Sequence, residues 1–333
     1  MNQMMQAMGF RRYGSVNVIE PLTLTQPTPG PDSVLIRIVA AGINPVDRRI
    51  RSGQLRLVLW IKLPFVPGYD IAGVVAAIGA QVTQFRPGDL VYAMTPLRQG
   101  GGYAEYAVVA AQHIAHAPPG ITCTQAAGTP LAALTALQAL RDKANLQPGQ
   151  HVLVYGASGG VGSFAVQIAR VLGAQVTAVS SGRNRELVTD LGADTVLDYT
   201  CDDITTHRDR YDVILDAVDV LSFRRVQSAL RPGGVLVSVN PFIEKLLPTW
   251  MLRFWGGRRL RSILVEPNRT DLEQLGRWIT AGQVCPLIDQ TYPLRDAAAA
   301  HTYSASQRAR GKLVLVVDTA LAEAVIGRTY AVV

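Results

Sequence analysis

Cysteine is scarce in this sequence. The three that occur, Cys123, Cys201 and Cys285, stand far apart and never as a C-x-x-C pair, which leaves neither a disulfide framework nor a thiolate zinc site. A chain with so few thiols suits a reducing compartment, and a cytoplasmic location is expected. Charge is also sparse, at 17% of residues, but with no low-complexity tract the composition is that of a folded chain. No stretch reaches about 18 uninterrupted apolar residues, and Met1 to Arg12 carries polar and basic residues where a secretory leader needs an apolar run. Neither a spanning nor a targeting segment is expected. The net charge is +7, yet the arginines are scattered, with no zinc-finger, helix-turn-helix or aromatic RNA-binding signature beside them. Anionic cofactor phosphate therefore fits better than nucleic acid as the partner of this charge.

What is present is enough chain for two cores: 333 residues, 48% of them hydrophobic, against a prior of roughly 150 residues per domain. Up to about Cys123 short β-rich runs alternate with turns. Ser33–Gly42, Gly73–Gly79 and Asp89–Met94 are set apart by Pro29-Gly30-Pro31, Pro67-Gly68 and Pro87-Gly88, the pattern of a compact all-β region. From about Thr124 strand and helix patterns alternate through HVLVYG, VGSFAVQIARVLG, QVTAVSS, RELVTDLG, TVLDY, YDVILDAV and LRPGGVLVSVN, which predicts a parallel sheet covered on both faces. After a strand at Arg259–Val265 and an amphipathic helix at Asp271–Ala281, short strands return at Ile288–Tyr292 and Lys312–Val317. The α/β unit then reads as an insertion, with the tail rejoining the first domain.

The strongest signal is HVLVYGASGGVGSFAVQIAR, His151 to Arg170, where an apolar strand runs through Gly156, Gly159 and Gly162 straight into a helix. Val161, Phe164, Ala165, Ile168, Ala169 and Leu172 form one apolar stripe on that helix. Gly162 would let helix and strand approach closely, and the free N–H groups at the helix start, with a positive dipole end, suit a pyrophosphate. Ser158, Gly159, Gly160 and Val161 are the expected contacts. About 20 residues further on, a domain selecting NAD would place an acid on the ribose 2′-hydroxyl. This chain has Ser180, Ser181, Gly182, Arg183, Asn184 and Arg185. Hydroxyls and guanidinium groups bind a 2′-phosphate, so NADPH is expected over NADH. Arg183 with Ser181 is the favoured pair, and Arg185 the other candidate.

Together these features resemble the medium-chain dehydrogenase/reductase superfamily, in its zinc-independent quinone oxidoreductase branch, which includes zeta-crystallin. The resemblance spans nearly the whole chain and is carried in order by GINPVD (Gly42–Asp47), PGYDIAG (Pro67–Gly73), PGDLVY (Pro87–Tyr92), GGYAEY (Gly101–Tyr106), AGTPLAALTALQAL (Ala127–Leu140), GASGGVG (Gly156–Gly162) and ARGKLVL (Ala309–Leu315). It implies an α/β protein: a GroES-like β-barrel catalytic domain in residues 1–125, completed by 268–333, around a Rossmann NADPH-binding domain of doubly wound parallel sheet in 126–267. A homodimer formed edge to edge between Rossmann sheets is implied by the same analogy.

Departures from the zinc alcohol dehydrogenases of that superfamily set the expected chemistry. Where those enzymes carry the first catalytic cysteine this chain has Asn44, and where they carry histidine and glutamate it has Tyr69 and Asp70. The four-cysteine lobe is missing too. Asp47 and Asp70 remain, but two carboxylates without histidine or thiolate make a poor zinc site, so hydrogen bonding within the barrel is their expected role and no metal is expected. Without a Lewis acid the acceptor must itself be electrophilic, which points to an apolar quinone or α,β-unsaturated carbonyl. The candidate catalytic residues are Asn44, Asp47 and Thr129. The resemblance places Asn44 near the nicotinamide, Thr129 near its ribose, Tyr199 at the adenosine end, Asn240 after the strand facing the nicotinamide amide, and Lys312 as a cofactor contact reaching in from the returning C-terminal segment. Arg49 stands where some relatives carry a tyrosine, so no tyrosine proton donor is implied and water becomes the candidate source of the final proton.

One segment reads two ways. Residues 241–262 mix Phe242, Leu246, Leu247, Trp250, Met251, Phe254 and Trp255 with Arg253, Arg258, Arg259 and Arg261. A lid over the substrate cleft is the favoured reading, and a basic amphipathic contact with an anionic membrane surface is the alternative. For the whole chain the alternatives are an alcohol dehydrogenase-like or enoyl reductase activity, or a catalytically weak NADPH-binding regulatory protein.

Overall fold

The computed structural model describes residues 3–240 and 257–322, and these divide into two compact units. The first comprises residues up to Leu131 with Glu266–Gly282 and the described part of Pro286 onward; the second comprises Ala132–Val265 with Gln283–Cys285.

In the first unit, strands β1 (Met4–Gly9) and β2 (Glu20–Thr25) form an antiparallel pair. The main sheet is organised by β3 (Ser33–Ile43), the longest strand, with β4 (Asp70–Ile78) antiparallel along one edge. The other edge of β3 is shared. Its first half, Ser33–Arg37, pairs with β6 (Tyr106–Ala110), and its last residues, Ala40–Ile43, pair with a strand at Lys312–Val316 from the far end of the chain. β5 (Leu90–Met94) and β7 (Ile114–His116) continue the sheet beyond β4. Alternation explains the curl: Val34, Ile36 and Ile38 point inward with Ile71, Val75, Val91 and Val109 to make one closed core.

The region is not all β. Helix α1 (Pro45–Arg51) follows β3 and helix α2 (Cys123–Ala127) precedes the second unit. Asn44 at the N-cap with Pro45 at the first helical position starts α1, and a Thr122/Gln125 capping box starts α2. Both are too short to show a periodic apolar stripe, which is why pattern alone passes over them.

Helix α3 (Pro130–Gln138) contains the division between units. The second unit is a six-stranded parallel sheet of β8 (His151–Tyr155), β9 (Gln175–Ser180), β10 (Thr195–Asp198), β11 (Tyr211–Asp216), β12 (Leu230–Ser238) and β13 (Arg259–Ser262), in the spatial order β10-β9-β8-β11-β12-β13. The order reverses between β8 and β11, and the crevice at the carboxyl ends of two such strands is where this topology binds ligands. Helix α4 (Gly160–Val171) follows β8 and is buried without a break from Gly162 to Ala169. One stripe explains only part of that. Gln167, on another face, exchanges two hydrogen bonds with the Cys285 backbone, at 3.1 and 2.7 Å, so the returning segment covers a second side of the helix. Short helices α5 (Arg185–Asp190) and α6 (Phe223–Val226) complete this unit.

The tail belongs to the first unit. α7 (Arg269–Thr280) takes its N-cap from Asn268, and the Tyr92 hydroxyl donates to Leu272 O at 2.5 Å. β14 (Ile288–Pro293), α8 (Ala297–Ala305) and β15 (Lys312–Val316) follow, with Ala297, Ala300, Leu313 and Leu315 packed on Met8, Ala41, Ile43 and Tyr103. Among the described residues no helix is long and apolar enough to cross a membrane. Of the segment 241–262, residues 241–256 lie outside the described residues.

Candidate functional site

In the first unit the end of β3, the start of β4, the start of β15 and helix α1 bring four polar side chains into an apolar interior. Asn44, Asp47, Asp70 and Lys312 are all at most 4% exposed. Asp70 is the hub. Its Oδ1 accepts the Leu131 N–H at 2.6 Å, while its Oδ2 accepts Asn44 Nδ2 at 2.9 Å and the Lys312 ammonium at 3.1 Å. Lys312 Nζ also donates to Asn44 Oδ1 at 2.5 Å. These bonds fix which end of the Asn44 carboxamide is oxygen, because an ammonium only donates and a carboxylate only accepts. One Nδ2–H of Asn44 is left beyond this triangle. Gly42 makes room for it: a Cβ there would lie 2.7 Å from Asp70 Oδ2 and 2.5 Å from Ala127 O.

Asp47 is spent differently. Its two oxygens accept the backbone N–H groups of Asn44, at 2.7 Å, and Gly68, at 2.8 Å, tying the start of α1 to the Pro67-Gly68 turn. Complete burial outweighs those two donors and raises its pKa to about 7. A second buried chain ends beside it. Arg51 Nη1 lies 3.5 Å from His301 Nδ1, and Tyr103 Oη lies 3.1 Å from His301 Nε2. The guanidinium can only donate, so Nδ1 is the acceptor and Nε2–H donates to Tyr103, leaving the phenol proton for Asp47. Burial, with Arg51 and Arg48 nearby, lowers the His301 pKa to about 3, and burial raises that of Tyr103 well above the ordinary phenol value. Thr129 is fully buried, and its hydroxyl donates to Gln125 O at 2.7 Å, which leaves its lone pairs as acceptors.

In the second unit the glycine-rich turn forms an open cradle. Gly156 leaves β8 with φ +80°, Gly159 caps α4, and the first bond into the helix is Ser163 N–H to Gly159 O at 2.9 Å. The N–H groups of Gly160, Val161 and Gly162 precede that bond and lack helical acceptors. At Gly162 a Cβ would lie 2.1 Å from Gly156 O, so only glycine lets the helix start so near the strand. Asn184 Nδ2 donates to Ser158 Oγ at 2.9 Å and fastens the turn to the end of β9.

At that end the candidates separate. Ser180 is buried and donates to Ser181 O at 3.3 Å, whereas Ser181 is half-buried. Arg183 and Arg185 are both exposed, and Arg185 donates to Val196 O on β10 at 3.1 Å. Asp198, the nearest acid, accepts from Thr200 N and Oγ1 at 3.0 and 2.8 Å, which holds its pKa below the usual carboxylate range. Tyr199 donates its N–H to Ser180 O and is more than half exposed beside this end. Asn240 donates to Asp219 Oδ2 at 3.1 Å beyond β12. Asp70 has the hydrogen-bonding role expected of it and is the hub of the cluster; the tie from Asn184 to Ser158 is the contact that sequence reasoning misses, its only signal being an amide next to the serines.

The cradle therefore fits a dinucleotide: a partly open row of backbone donors at a helix N-terminus, at a topological switch point, with hydroxyl and guanidinium at the adenosine end. This is the equipment of a nicotinamide-binding protein, and the buried polar cluster lies in a separate unit.

Comparison with known proteins makes that class specific. The alcohol dehydrogenase GroES-like domain family matches residues 30–119, and the zinc-binding dehydrogenase family matches residues 191–315. Quinone-oxidoreductase QR1 of Triphysaria versicolor chloroplasts is 32% identical over 324 residues, covering 94% of this chain and 98% of that protein. The chloroplastic NADPH-dependent alkenal/one oxidoreductase of Arabidopsis thaliana is 35% identical over 322 residues, covering 93% and 79%. The structure of the Coxiella burnetii quinone oxidoreductase superposes with a TM-score of 0.82 at 28% identity, covering 95% and 100%. The chain belongs to the quinone oxidoreductase branch of the medium-chain dehydrogenase/reductase superfamily. Its two units are the GroES-like and Rossmann-type domains of that fold. Among the described residues no group of three or more His, Cys, Asp and Glu is placed to hold a metal ion.

Proposed function

We propose that this protein uses NADPH to reduce quinones or α,β-unsaturated carbonyls without a metal. The observation that carries the reading is the Asn44–Asp70–Lys312 triangle. Asn44 and Asp70 stand where zinc relatives keep metal ligands, and the positive charge between them is a tethered ammonium. A carboxamide, a carboxylate and an ammonium are a poor donor set for zinc but a good fixed dipole for polarising a carbonyl oxygen as it gains charge. Lys312 then acts by orienting Asn44, whose remaining Nδ2–H is the donor to that oxygen. Thr129 accepts from the cofactor ribose, and Asp47 holds the backbone that carries Asn44. Bound NADPH would supply the hydride. The α4 N-terminus binds its pyrophosphate, Ser181 and Arg183 bind its 2′-phosphate, and Tyr199 flanks its adenosine. The names of the relatives, a quinone oxidoreductase and an alkenal/one oxidoreductase, support both acceptor classes. A cytoplasmic homodimer, paired through the edge of the second unit's sheet, completes the proposal.

Steady-state oxidation of NADPH and NADH with quinone and enone acceptors is the test. Arg183→Ala should lower kcat/KM for NADPH by about ten- to a hundred-fold, the worth of one charged hydrogen bond, and leave NADH unchanged, while Arg185→Ala changes little. Equal use of NADH by the wild type, or activity lost to a chelator, would overturn the reading.

A further inference from the structure

Large exposed hydrophobic side chains are few among the described residues, and three of them fall within four positions of the loop after α1. Leu57 is 91% exposed, Trp60 88% and Val58 57%. The loop is not loosely attached. Leu55, Leu59, Ile61 and Leu63 alternate with the exposed residues and pack on the Phe10, Ile50, Phe65 and Tyr69 core, and the turn is closed by Val58 and Leu59 N–H donating to Leu55 O at 3.0 and 2.7 Å. One side of the loop is anchored, so the other holds leucine, valine and tryptophan in water. A contiguous exposed apolar patch on an anchored scaffold marks an interaction surface.

Charge identifies the partner. Between Asp47 and Asp70 there is no acidic residue, and there are five basic ones, Arg48, Arg49, Arg51, Arg56 and Lys62. Arg56 and Lys62 are exposed and bracket the apolar residues. Tryptophan and leucine flanked by cations, with no anion to repel phosphate, is the composition that seats at the headgroup level of an anionic bilayer, where the indole and the aliphatic side chains enter the boundary and the cations stay on the phosphates. We infer that the loop Leu55–Leu63 is a peripheral docking surface for anionic lipid membranes, with Leu57, Val58 and Trp60 inserting and Arg56 and Lys62 holding headgroups. The site lies outside 241–262 and uses none of the groups assigned to the reaction.

Co-sedimentation with vesicles of phosphatidylcholine, with and without phosphatidylglycerol, tests it on the full chain. The wild type should pellet with the phosphatidylglycerol vesicles, stay in the supernatant with phosphatidylcholine alone, and be released by salt. Leu57→Ser with Trp60→Ser should lower partitioning at least tenfold. Arg56→Glu with Lys62→Glu should lower it at low salt by about fivefold or more for each cation removed. Both variants should keep wild-type turnover of a soluble quinone in vesicle-free buffer. Four outcomes would overturn the inference. A wild type that ignores anionic vesicles removes the phenomenon, and a Leu57/Trp60 variant that binds like wild type places docking elsewhere. A raised KM for soluble quinone in that variant assigns the loop to substrate. A changed mass in sedimentation velocity makes it a contact between copies of the chain.

Discussion

The two polar centres use opposite designs. In the first unit the charged groups are spent on one another: Asp70 has three donors, Lys312 has two acceptors, and both oxygens of Asp47 hold backbone N–H groups. In the second unit the polar groups are left waiting, with helix-start N–H groups unused and Arg183 out in solvent. Under the proposed function the difference follows from what each must meet. A neutral acceptor that gains charge only in the transition state is best served by dipoles locked beforehand, whereas a dinucleotide brings its own full charges and needs open donors.

The comparison can be broken most forcefully at Lys312. Lys312→Met leaves Asp70 buried and uncompensated and should cost about 3–5 kcal/mol in urea unfolding, and adding Asp70→Asn should recover much of that loss. If Lys312→Met alone is neutral, the cluster is not a locked network. A smaller effect is expected in the other centre from Gly162→Ala, whose methyl meets Gly156 O. Stability should drop by about 1–3 kcal/mol and the NADPH Kd should rise at least tenfold by fluorescence titration, with the first unit's thermal signature unchanged. An unaltered Kd would show that the helix start does not set the cradle.

The smallest effects are those of pH, and they carry opposite signs. Asp47 ionises in the fold near 7 rather than near 3.8, so its protonated form contributes stability that is complete below about pH 4 and gone once pH has risen through 7. His301 ionises in the fold only near 3 rather than 6.5, so its contribution is present above pH 6.5 and lost as pH falls toward 3. The melting-temperature gap between wild type and Asp47→Asn should therefore narrow from pH 5 to 8, and that for His301→Gln should narrow from pH 7 to 5. Each change should be on the order of a few °C. A gap that stays constant would mean that the residue's charge state does not change on unfolding.

The ease with which these centres could be read from sequence tracks the distance over which their bonds are made. The cradle is local: strand, three glycines and helix lie within His151–Arg170, and Gly159 and Gly162 both face Gly156 O. The contact of Arg185 with Val196 O on β10 is one that spacing along the chain does not show. The triangle is less legible still. Asn44 and Asp70 lie in motifs that stand out, but Lys312 is 268 residues from Asn44, and no periodicity links them. Helix α1 is hard to read for a different reason: Asn44 and Pro45 are start signals, but seven residues show too little of a stripe to outweigh the β-rich surroundings.

The pairing of β15 with β3 also orders events in time. A ribosome releases β3, α1 and β4 early, yet the cation that balances Asp70 leaves it near the end, after the whole parallel-sheet unit has emerged and been able to fold. Before β15 arrives, the Asp70 carboxylate has no ammonium beside it, while the contacts that shape the glycine-rich turn lie within the second unit.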